Sequence, residues 1–147
     1  MQYEYFIAGR LRNKDEIQKV VDILRDAGKS YYCFLDNEYV GESVQFTKDK
    51  NPEEAMKQFE QIPDWRNDET VKKIFENDMN ALKASEKFVL VIPAGKSGHI
   101  EAGTAYGLGK PCYAVGEQIE TESLYLIFNE MFPTVSKFKE FVEVNNG

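Results

Sequence analysis

The chain holds one histidine, His99, one tryptophan and only two cysteines, Cys33 and Cys112. So few soft ligands argue against a zinc site, which needs three or four His and Cys side chains at close spacing. No Cys-x-x-Cys pair occurs, and His99 has no second histidine to help it hold a metal. The two cysteines fall in predicted strands and read as small buried hydrophobes rather than as a disulfide. No apolar run reaches membrane-spanning length, and the start, Met1-Gln-Tyr-Glu, lacks the basic and apolar regions of a secretory leader. These absences predict a cytoplasmic protein with no membrane partner. Positive charge is also scarce: 18 Lys and Arg stand against 25 Asp and Glu, a net charge of −7. A nucleic-acid polymer demands a basic face and is therefore not expected as a partner, whereas a small anion needs only one local nest of donors. There is no repeat and no low-complexity tract, and 147 residues suit a single domain over 1–147 that buries its core without disulfide or metal staples.

What is present centres on the stretch from Phe88 to Val115. Phe88–Ile92 is an apolar run of the kind buried on both faces of a parallel sheet. A glycine-punctuated turn over Pro93–Gly98 leads into a helix of small residues from about His99 to Gly107. Gly109 and Pro111 stop that helix, and Cys112–Val115 returns to the sheet. In such a unit a strand's carboxyl end meets a helix's amino end, the place where open α/β sheets bind ligands. Glu101, expected in the first turn of that helix, is either an ordinary helix-dipole carboxylate or a site group. The small residues Ala102, Gly103, Ala105 and Gly107 suggest that something approaches closely. The turn Gly95-Lys96-Ser97-Gly98 adds free N–H groups, a hydroxyl and an ammonium.

The rest of the chain alternates. Tyr3–Ala8 reads as a strand ended by Gly9, 15–27 as an amphipathic helix stopped by Gly28, and Tyr31–Leu35 as a second strand. An edge strand is possible at 43–46. Asn51-Pro52-Glu53-Glu54 is a helix start with cap, proline and acids in the expected order. A longer helix is predicted over 68–83 with Val71, Ile74, Phe75, Met79 and Leu82 inward, then helices over 121–132 and 136–144. The order predicts a doubly wound parallel sheet of four to five strands with helices on both faces. The crevice is expected where Gly9 and Gly95–Gly98 end neighbouring strands. Several motifs are set aside. Gly95-Lys96-Ser97 lacks the earlier glycine of a phosphate-binding P-loop, since Leu90 stands there. The glycines around His99 do not fit a dinucleotide fingerprint, and no nucleophile elbow supports a serine triad.

Carboxylate chemistry remains, with Glu101 and Asp78 as the acids that one crevice can collect. Tyr5-Phe6-Ile7-Ala8-Gly9, Asn77-Asp78, Gly98-x-x-Glu101-x-Gly103-x-Ala105, Gly109-Lys110-Pro111 and Glu122-Ser123-Leu124-Tyr125 together resemble the nucleoside 2-deoxyribosyltransferase family. That family includes the 2′-deoxynucleoside 5′-phosphate N-hydrolases. The resemblance spans about two-thirds of the chain, and residues 36–66 carry none of it. It implies a flavodoxin-like fold, no cofactor, a homo-oligomer, and cleavage of an N-glycosidic bond through a covalent sugar–enzyme ester. Glu101 matches the family nucleophile, Asp78 the acid that assists the leaving base, and Tyr5 a phenol that holds the nucleophile. An acid often found six residues before the nucleophile is Gly95 here. With Lys96, Ser97, Gly98 and His99 following, the turn looks suited to a phosphate and points to the nucleotide-hydrolase branch. Arg10, Arg12 and Lys14 after the first strand either add charge to that pocket or are solvated loop cations. Two functions stand at this level: an enzyme on a deoxynucleoside or its 5′-monophosphate, and a non-catalytic module that binds a nucleotide in the same crevice.

Overall fold

The computed structural model describes residues 1–145. Five strands form one parallel sheet: β1 (Tyr3–Ala8), β2 (Tyr31–Cys33), β5 (Ser85–Val91), β6 (Cys112–Val115) and β7 (Glu130–Phe132). Their order across the sheet is β2-β1-β5-β6-β7, every neighbouring pair parallel. Leaving out the ribbon described below, this is the flavodoxin-like order 2-1-3-4-5, with its topological switch between β1 and β5. The inner strands are apolar on both faces, as a sheet covered by helices on both sides requires. Helices α1 (Lys14–Asp26) and α5 (Val135–Val144) cover one face, where Ile17, Val20, Leu24 and Phe138 pack on Tyr5, Ile7, Val89 and Val91. Helices α3 (Glu69–Lys83) and α4 (Lys96–Gly107) cover the other, where Leu82, Ala102 and Ala105 pack on Phe6, Ala8, Phe88 and Leu90.

Helix starts follow their caps. The Asn51 side chain accepts from the amides of Glu53 and Glu54 ahead of α2 (Pro52–Glu60), and Asp68 accepts from Thr70 and Val71 ahead of α3. Four expectations need correction. The second strand ends at Cys33, and Phe34–Asp36 is a 3-10 turn that carries the chain over the sheet's edge. The edge strand at 43–46 is a two-residue strand, β4 (Gln45–Phe46), paired antiparallel with β3 (Tyr39–Val40) in a ribbon apart from the main sheet. The helix expected over 121–132 is a 3-10 segment, Ser123–Ile127, followed by β7. Apolar residues three apart suit 3-10 as well as α geometry, and here Asn129 closes the segment: its amide donates to the Cys112 carbonyl, and its side chain accepts from the Cys112 amide. Phe75, expected inward on α3, is exposed, while Ala81 and Leu82 carry that helix's buried face.

Among the described residues no helix is long and apolar enough to cross a membrane. Gly109-Lys110-Pro111 acts structurally. Gly109 has a positive φ of 77° after α4, and the Lys110 ammonium donates to the carbonyls of Lys83 and Ser85 where α3 passes into β5.

Candidate active site

At the carboxyl ends of β1, β2 and β5 lies a cavity of about 770 Å³. That is within the size range of small-molecule sites, at the position the switch point marks. The sheet side contributes Phe6, Gly9 and Arg10, α4 contributes Gly95–Gly98 and Glu101, and α3 contributes Ile74 and Asp78. The opposite wall comes from residues 34–37, the ribbon and α2, with Phe46 and Phe59 packed ring to ring at 5.8 Å. The structure thus brings Glu101, Asp78, Gly9, Arg10, Gly95, Lys96, Ser97 and Gly98 to one cavity.

The floor of the site is tight because glycine permits it. A Cβ on Gly98 would stand 2.7 Å from Leu90 Cδ1, and one on Gly9 would stand 2.7 Å from Ile17 Cδ1. Glycine at position 98 lets the start of α4 settle on Leu90 of β5, and glycine at position 9 leaves room for Ile17 of α1. Gly103 and Gly107 have no such reason, since nothing lies within 4 Å of a Cβ there. Of Ala102, Gly103, Ala105 and Gly107, the two alanines are the ones that pack on the sheet.

Glu101 is placed differently from the expectation. Helix α4 starts at Lys96 rather than His99, so Glu101 is its sixth residue and lies in the second turn. There it is 9% exposed, and desolvation first and the Asp78 charge second push its pKa from 4.5 to about 8. Burial therefore outweighs the helix dipole at this carboxyl. Asp78 is also raised by burial, against the pull of a hydrogen bond from the Tyr32 hydroxyl at 2.9 Å. Burial thus raises both carboxyls, and the Asp78 charge adds to the rise at Glu101, which keeps its proton near neutral pH.

Two expected site residues are elsewhere. Tyr5 lies on the far face of the sheet, 2% exposed, edge-on to Phe138 at 6.4 Å and beneath the Lys87 ammonium. Strand alternation decides this: in β1 the side facing α4 belongs to Phe6 and Ala8, so Tyr5 does not sit beside Glu101. His99 turns away from the cavity. Its Nδ1 is 2.8 Å from the Gly95 carbonyl, which can only accept, so in the neutral ring Nδ1 carries the proton and Nε2 accepts from the Tyr125 hydroxyl at 2.8 Å. The His99 amide is spent within the helix on the Gly95 carbonyl.

The rim is cationic despite the chain's negative charge. Arg12 is committed to Glu53 at 2.6 Å and Glu60 at 2.9 Å, pinning α2 to the loop after β1. Arg10, Lys14 and Lys96 line the cavity with no carboxylate partner among the described residues. Gly95, the residue before α4, supplies no side-chain cap, so the first amides of the helix are left for another acceptor. Among the described residues no group of three or more His, Cys, Asp or Glu is placed to hold a metal ion.

Reading by sequence missed Tyr32, Asn37, Phe34 and the ribbon wall. Tyr32 had one available signal, its place next to the end of the strand that borders β1. The ribbon had none, since its strands are too short for a period to show.

Two solved structures share this architecture. A 2-deoxyribosyltransferase from Bacillus psychrosaccharolyticus aligns with a TM-score of 0.62 at 18% identity, over 97% of this chain and 95% of its own. The CMP N-glycosidase of Clostridium botulinum aligns with a TM-score of 0.50 at 15% identity, over 95% of this chain and 98% of its own. The chain has the fold of these two proteins. Both are of the nucleoside 2-deoxyribosyltransferase family, the one its short motifs resemble. No protein-family model matches the sequence, and no curated protein matches it. Within this 2-deoxyribosyltransferase fold, the cavity at the β1–β5 switch and the Glu101–Asp78 pair are the features on which chemistry can be argued.

Proposed function

We propose that the protein cleaves the N-glycosidic bond of a 2′-deoxynucleoside 5′-monophosphate through an ester between the sugar and Glu101. The observation that carries this reading is the pair of buried carboxyls in one cavity with an open cationic rim. The singly protonated pair is the productive form. Burial places that proton on Glu101 first; once it passes to Asp78, the charged Glu101 oxygen attacks the anomeric carbon as an oxocarbenium-like state develops. The bond from that carbon to the base breaks, its electron pair goes to the base nitrogen, and the base takes the Asp78 proton. Asp78, now a carboxylate, removes a proton from water, or from an acceptor base, as that group attacks the same carbon and the ester opens. Glu101 leaves as a carboxylate and the anomeric configuration is retained. The phosphate is proposed to lie at the start of α4, on the first helix amides, the Ser97 hydroxyl, Lys96 and Arg10. The apolar wall of Phe34, Phe46, Met56 and Phe59 is left for the base.

The likeness to a deoxyribosyltransferase and a CMP N-glycosidase supports the reaction class. The departure at Gly95 and the unpaired cations support a nucleotide over a nucleoside. We also infer that the chain forms a homo-oligomer by meeting a second copy through α4 and the 3-10 segment. Ile100, Tyr106, Leu108, Leu124 and Leu126 are each half or more exposed there, around the open backbone of Gly103 and Gly107. A panel of nucleosides and 5′-monophosphates, assayed for free base, tests the function. Base release from monophosphates ahead of nucleosides is expected. Nucleotide binding with no release from any member would make the cavity a sensing site instead.

A further inference from the structure

The acid of the proposed pair does not stand alone. The Tyr32 hydroxyl lies 2.9 Å from Asp78 Oδ1, and Asn37 Nδ2 lies 2.6 Å from the same hydroxyl, both contacts partly buried. An amide N–H can only donate, so Asn37 occupies a lone pair of the Tyr32 oxygen and the hydroxyl hydrogen is committed to Asp78. The ring is fixed as well: it stacks on Phe6 at 5.3 Å and 20°, and meets Tyr3 at 5.6 Å. Neither Tyr32 nor Asn37 belongs to any motif of the family resemblance.

We propose that Tyr32, oriented by Asn37, is the positioning residue of Asp78, holding Oδ1 as an acceptor so that the transferable proton stands on Oδ2 toward the leaving base. This rests on the proposed glycosidic reaction. A carboxylic acid free to rotate or to protonate either oxygen spends part of its time with the proton misdirected. A donor locked on one oxygen removes that option, and general-acid catalysis depends on such placement. Tyr32 suits the task because burial, and after it the Asp78 charge, push its pKa far above the usual phenol range, so it stays a donor. The titratable groups about Asp78 are Tyr32 and Cys33 of β2, Tyr39 of β3 and Glu101 of α4. Of these, Tyr32 is the one whose hydrogen bond lowers Asp78, and Glu101 is the one whose proton competes with it.

Tyr32→Phe tests this, since the ring stack survives and only the hydroxyl is lost. Carboxyl titrations followed by carbon NMR on labelled protein need no turnover. The Asp78 midpoint is expected to rise by about one unit when its hydrogen bond is removed. The Glu101 midpoint is expected to fall, because Asp78 then carries less charge beside it. Asn37→Ala should move both in the same directions by less. In turnover, kcat is expected to drop about 10–100-fold for poorly leaving bases and to change little for good ones, with KM nearly constant. Unmoved titrations in Tyr32→Phe overturn the proposal, as does a loss of kcat equal for all bases. A wild type that releases no base overturns the glycosidic reading itself. Shifted carboxyls without base release would leave the Tyr32–Asp78 tie standing and overturn its part in catalysis.

Discussion

At the scale of the residue, the site turns on where one proton sits. Glu101 is pushed up to about 8 by burial and then by the Asp78 charge, and burial also raises Asp78. The profile of kcat/KM against pH is therefore expected to be a bell whose alkaline limb falls near pH 8, where the pair loses its last proton. The same shift bears on stability. Glu101 is raised in the folded state, so between 4.5 and about 8 the folded chain holds a proton that the unfolded chain has lost. Stability then falls as pH rises through that window, and below it both states are protonated and nothing is lost. Glu101→Gln is expected to melt at the wild-type temperature at pH 4. At pH 8–9 it should gain on the order of 2–4 kcal/mol over wild type, which thermal scans across pH would check. Asp78→Asn should cost roughly 10²–10⁴-fold in kcat for bases that must be protonated to leave, and little for those that need not. Equal losses across leaving groups, measured on a base series, would make Asp78 a positioning group. Glu101 was legible because it follows a strand-end turn, and Asp78 through the Asn77-Asp78 element of the family resemblance. The sequence does not say which parity of β1 faces α4, so only the fold puts Tyr5 on the face opposite Glu101. The shift of Glu101 was hidden because its burial comes from the packing of α4 against the sheet and α3, which only the folded chain brings together.

At the scale of the element, α4 does most of the positioning. Its start was read three residues late because Gly95-Lys96-Ser97-Gly98 has the composition of a loop, while in the structure Lys96, Ser97 and Gly98 are its first turn. That shift moves the expected anion nest onto the helix's own amides, and it removes the His99 amide, which is bonded to Gly95. Lys96→Ala with Ser97→Ala is expected to erase most of the preference for 5′-monophosphates, about 1.5–3 kcal/mol for each well-made charge-assisted bond, and to spare nucleoside affinity. Competition binding measures it, and added salt should weaken the preference because Lys96 is exposed. Equal affinity of the wild type for a nucleoside and its monophosphate would refute the nest. Helices α2 and α3 were legible to within a residue because Asn51 and Asp68 are caps. The strand β7 was not, because three residues paired to β6 leave no alternation to read, and Leu124, Ile127, Phe128 and Met131 fit a helical period that the chain does not use.

At the scale of the whole molecule, the strand order β2-β1-β5-β6-β7 sets the switch point between β1 and β5. The parallel sheet was readable from 88–115 and 3–35 together, and its flavodoxin-like order from the family resemblance. The cavity's second wall was not, because the ribbon and α2 are held by contacts such as Arg12 with Glu53 and Glu60, each ordinary surface charge in the sequence. Light scattering on the intact chain is expected to give a mass above one protomer, and Leu126→Glu with Ile100→Glu to lower it. A monomer at every concentration would refute the inferred self-association. All of this stands or falls with Glu101 as the nucleophile. The direct measurement is base release from a 5′-monophosphate by the wild type and by Glu101→Ala, with ligand binding followed by calorimetry on both. Release by the wild type is expected, with a loss of several orders of magnitude in the variant and binding retained in both. Near-normal release by Glu101→Ala would contradict it.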